Sequence, residues 1–545
     1  MPESKPASQT IIDQQKKVRK SLPFHDRADY VNAKKGFLGR LQPNVVTNED
    51  GATIWNNDSY EFLNAECPDT ANPSLWRQSQ LARMDGLYRV VDGIYQVRGE
   101  DLSNTTFIEG DTGLIVIDPL TSAEAGAAAL GLYREHRGAT RQIKAIIYTH
   151  SHVDHFGGVK GMVSEADVQR HGIQILAPEG FLEHAVSENV FAGTAMSRRA
   201  GYMYGAALPR GPRGQIGAGL GQTTATGTVT LIAPTVTITC TGERRTIDGV
   251  EMVFQMAPDT EAPAEMLIFF PRFRALCAAE VATHTFHNIL TLRGALVRDP
   301  HGWARHLNEA IDLWGGEAEV VFASHHWPTW GAEGPQRQGR VPGKLVAAGR
   351  AALEAGDLRW AAEVLNHAVF AAPGGDGAEG RAVLADTYEQ LGYGAENGPW
   401  RNFYMSGAAE LRAGGSLGTP LASGSGDMLA QMTPEMLFDT LAVRVDGPKA
   451  WEEKVCIKVV LTDAAVTYHL WLSNGALIYT SAEKLIKADV TITGTSRALS
   501  AIVIHGLDPA KLEEKGLKIT GDGGALSRFG ALLDSGDASF NIVTP

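Results

Sequence analysis

The spacing of apolar positions changes several times along the chain, and each change predicts a change of structure. Residues Met1 to Asp85 are mixed and polar, with a basic run (Lys16, Lys17, Arg19, Lys20) that reads as the solvated face of a helix. From Gly86 the pattern turns to short runs, L-Y-R-V-V-D-G-I-Y-Q-V-R-G and T-T-F-I-E-G-D-T-G-L-I-V-I-D-P. These predict antiparallel strands joined at Asp92-Gly93 and Asp111-Thr112-Gly113. Ser122 to His136 carries Ala and Leu at helical spacing and leads into the apolar run Ala145-Ile146-Ile147-Tyr148, a strand-helix-strand unit. Strands are predicted again at T-V-T-L-I-A, T-V-T-I-T-C, M-L-I-F-F and A-L-C-A-A, the last ending in Glu280. An amphipathic helix over Trp303 to Trp314 precedes E-V-V-F-A, a strand that ends in Ser324-His325-His326-Trp327.

Beyond Lys344 the texture is helical to Arg412, with Leu358, Ala361, Leu365 and Val369 at helix spacing. Arg412 to Asp427 is rich in Gly and Ser and reads as a linker, and the glycine-rich basic stretch Pro209 to Gly221 as a mobile connection. After the linker come an alternating hairpin around Asn474-Gly475, the strand A-D-V-T-I-T-G and the helix S-R-A-L-S-A-I-V-I-H-G. Val466, Tyr468, Leu470 and Leu472 with Leu499, Ile502 and Val503 form either a hydrocarbon groove or a plain packed core. The expected organisation is a first domain over 1–343, a helical domain over 344–412, a linker over 413–427 and an α+β domain over 428–545.

Composition narrows the function. A net charge of −13 over 545 residues argues against nucleic acid as partner, because phosphate binding needs clustered Lys and Arg. Cys67, Cys240, Cys277 and Cys456 lie far apart without Cys-x-x-Cys spacing, which fits a reducing compartment and no disulfide framework. No amino-terminal apolar region and no run of about 18 apolar residues is present, so the expectation is a cytoplasmic protein without membrane insertion.

One segment concentrates chemistry: T-H-S-H-V-D-H-F-G-G, in which His150, His152, Asp154 and His155 fall within six residues at the end of the predicted strand. Packing four such side chains together without a cation leaves polar groups to be solvated or paired, whereas zinc takes neutral imidazole and carboxylate as ordinary ligands. Alternate spacing turns His150 and His152 to one side of an extended loop and Asp154 and His155 to another, which suits two metals.

This H-x-H-x-D-H segment resembles the metallo-β-lactamase superfamily. The stretches N-P-S-L-W-R-Q (72–78), I-Y-Q-V-R-G (94–99), D-L-S-N (101–104), P-D-T-E-A-P-A-E-M (258–266), T-L-R-G-A (291–295), S-H-H-W-P-T-W-G (324–331) and W-R-N-F-Y (400–404) resemble one branch of it, the zinc-dependent alkyl sulfatases. The resemblance implies an α/β (α+β) αββα sandwich, then a helical dimerisation-type segment and a sterol-carrier-like α+β domain. It implies two Zn2+, the first held by His150, His152 and Glu261, the second by Asp154, His155 and His325, with Glu280 shared. Most superfamily members have histidine in place of Glu261 and aspartate in place of Glu280. By the same resemblance Asn288 to Arg293, with Arg298 nearby, form the sulfate-binding stretch and Tyr204 and Arg213 lie in the loop that lines it, where arginine's planar fork suits the anion. Ordinary salt bridging is the competing reading for each arginine and the favoured one for Arg213. Glu265 reads as a solvated loop acid and His326 as a structural neighbour of the ligands.

The implied reaction is hydrolysis of a small-molecule alkyl sulfate such as dodecyl sulfate to alcohol and inorganic sulfate, by water activated at the metals, in a homodimer. In the family a long helical region follows the last zinc histidine. Here only Ala332 to Lys344 separates S-H-H-W-P-T-W-G from the later helices, so no residue inherits that region's roles. Rival readings are another hydrolase of the same fold, a thioesterase or phosphodiesterase, and a catalytically impaired lipid-binding protein.

Overall fold

Leu87 to Val97 fold as the hairpin their alternation predicts, Val91 pairing with Ile94 across Asp92-Gly93, where Gly93 takes φ 93°. The structure is a computed structural model describing residues 4–191, 193–285, 287–331, 356, 358–359, 361–362, 365–366, 378–418, 424–481, 487–499, 502 and 507–544. The hairpin belongs to an eight-stranded sheet in the order Phe37–Gly39, Gly86–Val91, Ile94–Arg98, Thr105–Glu109, Gly113–Ile117, Gln142–Ile147, Gln174–Pro178, Val236–Ile238. Its first four junctions are antiparallel and its last three parallel.

A second, six-stranded sheet runs Arg244–Ile247, Val250–Met256, Met266–Phe270, Ala275–Cys277, Val320–Phe322, Thr329–Trp330. Only the Ala275–Cys277 and Val320–Phe322 junction is parallel. One continuous core joins the sheets, with Ile94, Ile108, Ile115, Ile117, Ile147 and Leu176 packed on Val250, Phe254, Met266, Ile268, Phe270 and Phe322. Burial of such side chains contributes about 1.5–3 kcal/mol each and is what holds the two layers together.

Helices cover the outer faces. Ala123–Arg137, capped by Ser122, stacks Tyr133 on Phe107 at 4.7 Å. Pro300–Trp314, capped by Asp299, packs Trp303 and Trp314 on Val253, Leu267, Phe269 and Val321. The result is the αββα sandwich that the resemblance implied. The basic run of the first helix, Gln9–Ser21, is exposed as predicted.

Two local expectations fail. T-V-T-L-I-A is not a strand: Thr230 donates both its N–H and its hydroxyl to Gly157 O, at 2.7 Å each, and Ile232 O accepts the Tyr148 hydroxyl. Its β-branched residues serve as a strap over the histidine loop. The glycine-rich stretch is held down, not loose. Arg401 donates to Gly214 O and Pro212 O, and Asn402 to Gly217 O, so two residues of W-R-N-F-Y clamp it.

The helices Ala378–Gly394 and Gly398–Ala413 pack as a hairpin within the stretch expected to be helical. Val369, Val503, His505 and most of the helix expected after Lys344 lie outside the described residues, and the linker is described only to Gly418 and from Gly424. Contacts divide the chain into two compact units, one of residues 1–181, 196–423 and 538–545, the other of residues 182–195 and 424–537. The second has a five-stranded sheet in the order Ala476–Thr480, Val466–Ser473, Val455–Leu461, Val490–Gly494, Lys518–Gly521. Asn474 (φ 51°) and Gly475 (φ 72°) make its predicted hairpin turn. Tyr468, Leu470, Leu472, Leu499 and Ile502 are buried there.

Candidate metal centre

Strand adjacency assembles the site. Gly113–Ile117 and Gln142–Ile147 are parallel neighbours, so Asp118 and the Thr149–His155 loop emerge at the same carboxyl-terminal edge. In the facing sheet the parallel pair Ala275–Cys277 and Val320–Phe322 delivers Glu280 and His325 together. Met266 N donates to Thr149 O at 3.0 Å and ties the two edges across the layer. The glycines of H-F-G-G are needed for close approach: a Cβ on Gly158 would stand 2.1 Å from Pro119 O. Asp118, Leu120, Asp259, Ala279 and His326 all hold left-handed φ, so backbone strain gathers around the site.

Ligand-type atoms converge in three overlapping groups among the described residues: His150, His152, Glu261 and Glu280; Asp154, His155 and His325; and Asp118, His150 and His155. Glu280 lies between the first two, its Oε2 3.4 Å from His150 Nε2, 3.3 Å from His155 Nε2 and 3.1 Å from His325 Nε2. Glu261 Oε2 is 2.8 Å from His152 Nδ1, and Asp154 Oδ2 is 3.1 Å from His155 Nε2. The seven residues named as ligands thus lie together.

Hydrogen bonds set which imidazole nitrogen faces inward. His155 Nδ1 lies 3.0 Å from Asp118 Oδ2 and His325 Nδ1 3.1 Å from Leu102 O, so each Nδ1 carries a proton and each Nε2 is turned toward the cluster. Asp118 also accepts the Thr149 N–H and hydroxyl and the Ser324 hydroxyl. Burial opposes charge on His155, yet Asp154 and Asp118 outweigh it and hold its pKa well above the ordinary histidine value. Burial likewise opposes ionisation of Glu280, but His325 and its other histidine partners bring it well below the usual carboxylate range.

The donors fit a divalent metal. Nε2 of His150 and of His155 and Oε2 of Glu261 are buried and face other ligand-type atoms of the cluster. Asp118, Asp154, Glu261, Glu265 and Glu280 crowd carboxyl groups into a space where, among these neighbours, Arg298 is the permanent cation. Buried excess negative charge of this kind calls for a cation.

The named sulfate contacts scatter. Asn288 lines a cavity of about 480 Å3 with Arg77, Gln78, Gly219, His284, His287 and Trp327. His287 Nε2 is 2.7 Å from Glu280 Oε1, so this cavity reaches the cluster. Arg293 is buried and Tyr204 half-buried. Arg213 is exposed and donates to Ser4 O, away from the cavity wall. Arg298 spends its guanidinium on protein: it pairs with the Glu261 carboxylate and donates to Glu261 O, His287 Nδ1 and Asn288.

Glu265 corrects an expectation. It is fully buried, because the P-D-T-E-A-P-A-E-M loop folds inward, and burial together with Glu261 and Glu280 pushes its carboxyl up to about 8. His326 holds Gly219 O through Nε2 and accepts the His284 N–H at Nδ1, and burial pushes its pKa down to about 3. Sequence reasoning missed Asp118 and His287. Their signals were an acid directly after an apolar strand in G-L-I-V-I-D-P, and the paired histidines of T-H-T-F-H-N.

Residues 98–325 match the metallo-beta-lactamase superfamily profile, 341–414 the alkyl sulfatase dimerisation profile and 422–545 the alkyl sulfatase C-terminal profile. A linear primary-alkylsulfatase of Pseudomonas sp. is 41% identical over 634 residues, covering 99% of this chain and 94% of that protein. The chain belongs to the alkylsulfatase family. An (R)-specific secondary-alkylsulfatase of Pseudomonas sp. is 39% identical over 100% of this chain and 95% of its own length. The solved structure of the stereoselective inverting sec-alkylsulfatase Pisa1 of Pseudomonas sp. superposes with a TM-score of 0.90 at 37% identity, covering 100% of this chain and 99% of that one. The 634 aligned positions exceed this chain's 545 residues, so that alkylsulfatase has stretches without a counterpart here. Among the described residues no helix is long and apolar enough to cross a membrane.

Proposed function

We propose that this chain hydrolyses alkyl sulfate esters, such as dodecyl sulfate, to alcohol and inorganic sulfate at the buried cluster, loaded with two zinc ions. As an alkylsulfatase family member it is a sulfuric ester hydrolase. The observation that carries the two-ion reading is the place of Glu280 Oε2, within 3.4 Å of three histidines from two ligand groups. His150, His152 and Glu261 would hold one ion, Asp154, His155 and His325 the other, with Glu280 shared. Bound there, zinc lowers the pKa of water toward about 7 and offsets the charge of sulfate oxygens.

The chain's own residues then do the rest. Asp118 and Leu102 O keep the Nδ1 protons of His155 and His325 in place, which fixes ring orientation. Arg298 brackets Glu261 against residues 287 and 288, and Asn288 and His287 form the cavity wall nearest the cluster. Asn288, Arg293, Arg298, Tyr204 and Arg213 remain the candidate sulfate contacts, with Arg293 foremost because it is buried and lies inside the T-L-R-G-A stretch that carries the resemblance.

The dimerisation profile at 341–414 supports a homodimer, which sedimentation would test. We assign 1–343 to catalysis, 344–412 to dimerisation, 413–427 to a linker, and 428–545 to a sterol-carrier-like domain that handles the alkyl chain, all in the cytoplasm. The deciding experiment compares turnover of dodecyl sulfate, a thioester and a phosphodiester by zinc-loaded protein, in heavy-oxygen water. Label in sulfate means attack at sulfur and label in alcohol attack at carbon, while turnover of the thioester or phosphodiester alone would overturn the proposal.

A further inference from the structure

We propose that Glu265 is a positioning residue whose single buried carboxyl group fixes the spacing of Glu261 and Glu280, and so sets the metal affinity of both halves of the site; this rests on the metal-loaded reading above. One of its oxygens, Oε2, accepts the N–H of Glu261 and of Ala262, each at 3.1 Å, and contacts the Thr260 hydroxyl at 2.9 Å. The other, Oε1, accepts the N–H of Glu280 at 3.0 Å. The two carboxylates that differ from the usual superfamily ligands are therefore braced, through their own backbone, by one side chain.

Its backbone extends the brace to the histidines. Glu265 forms an isolated antiparallel bridge with His150, and its carbonyl accepts the Ala257 N–H at 2.9 Å. Glu261 sits on a loop, and Glu280 follows Ala279, which holds φ 49°. Neither residue lies inside a strand. Such segments keep their geometry only when side chains fix it.

A buried acid beside two other acids costs stability, and an apolar residue of similar volume would pack at lower cost. What an apolar residue cannot do is accept two N–H groups on one side and a third on the other. Glutamine fills the same volume but has one acceptor oxygen. Its NH2 group would confront either Glu280 N–H or the N–H groups of Glu261 and Ala262.

The test is zinc affinity, measured by competition with a chelator, in the full chain carrying E265Q or E265A. E410Q is the control, because it disturbs a buried carboxylate paired with Arg198 at 2.8 Å, elsewhere in the same unit. Glu265 variants should hold zinc about ten- to hundredfold more weakly, the range for outer-shell partners of metal ligands. E410Q should lower Tm with zinc affinity unchanged. Glu265 variants that melt earlier yet bind zinc like the wild type would overturn the inference alone. A wild type that takes up no divalent ion would overturn the metal reading and this inference with it. Should both variants fail to fold, amide exchange in the wild type decides: the N–H groups of Glu261, Ala262 and Glu280 must slow together when zinc binds, and independent rates would refute the brace.

Discussion

Glu280 Oε2 stands 3.1 Å from His325 Nε2, and the two residues leave the ends of adjacent parallel strands, Ala275–Cys277 and Val320–Phe322. Their meeting is a consequence of sheet order: residues 45 positions apart become neighbours because their strands pair in register. The facing sheet repeats the device with Asp118 and the histidine loop, so all the candidate ligands except Glu261 are placed by two sheet edges. Sites built on such elements hold geometry better than sites on free loops.

Removing one ligand should therefore empty the site without collapsing the sheets. In D154A, Oδ2 no longer stands 3.1 Å from His155 Nε2 and 3.6 Å from His325 Nε2, and in H152A the 2.8 Å partner of Glu261 is gone. We expect both variants to lose bound metal and turnover together while far-UV circular dichroism is unchanged. Full activity in wild-type protein holding less than one metal per chain would contradict the two-ion reading.

Arg293→Lys keeps a positive charge but loses the planar fork. If Arg293 holds the sulfate, transition-state binding should weaken by roughly 1.5–3 kcal/mol, about ten- to a hundredfold in kcat/KM. Metal affinity should not move. An unchanged kcat/KM would assign Arg293 to packing.

Asp101 gives a pH signature. Burial pushes its carboxyl up to about 6, although three backbone N–H groups, of Leu102, Thr121 and Ala225, donate to it. In the unfolded chain the group titrates near ~3.9. Between those values the folded state holds more protons than the unfolded one, so the stability this group confers is greatest below about pH 4 and falls as pH rises through 6. The full loss is on the order of 3 kcal/mol. The difference in unfolding free energy between wild type and D101N, from urea titrations at several pH values, should slope across that window and be flat above it. A difference independent of pH throughout would show that Asp101 titrates alike in both states.

The sequence made most of the sandwich legible because strand periodicity, helix periodicity and the Asp-Gly turns agree with one another. His150 to His155 were legible for another reason, since no packing requirement gathers such residues. Glu265 and Arg298 were read less well. Their roles depend on which backbone N–H or carboxylate the fold brings beside them, and neither spacing nor composition records that. The strap Thr228 to Ala233 misled because β-branched residues suit an extended chain whether or not it joins a sheet.

The last prediction separates the two arginines. The family resemblance gives Arg293 and Arg298 the same sulfate role, but the structure sets Arg298 against Glu261, His287 and Asn288. Burial opposes ionisation of Glu261, and the Arg298 guanidinium leads the groups that outweigh it and hold its carboxyl well below the usual range. A lysine offers three donors from one point and cannot reach the Glu261 carbonyl, its carboxylate and Asn288 at once. R298K should therefore weaken zinc binding by roughly 1.5–3 kcal/mol, the range for hydrogen bonds to charged groups, and part of the activity should return at high zinc. R293K should show neither effect. If R298K binds zinc normally and only KM for dodecyl sulfate rises, Arg298 turns from Glu261 to the substrate in the working enzyme, and its role is the one that the resemblance implied.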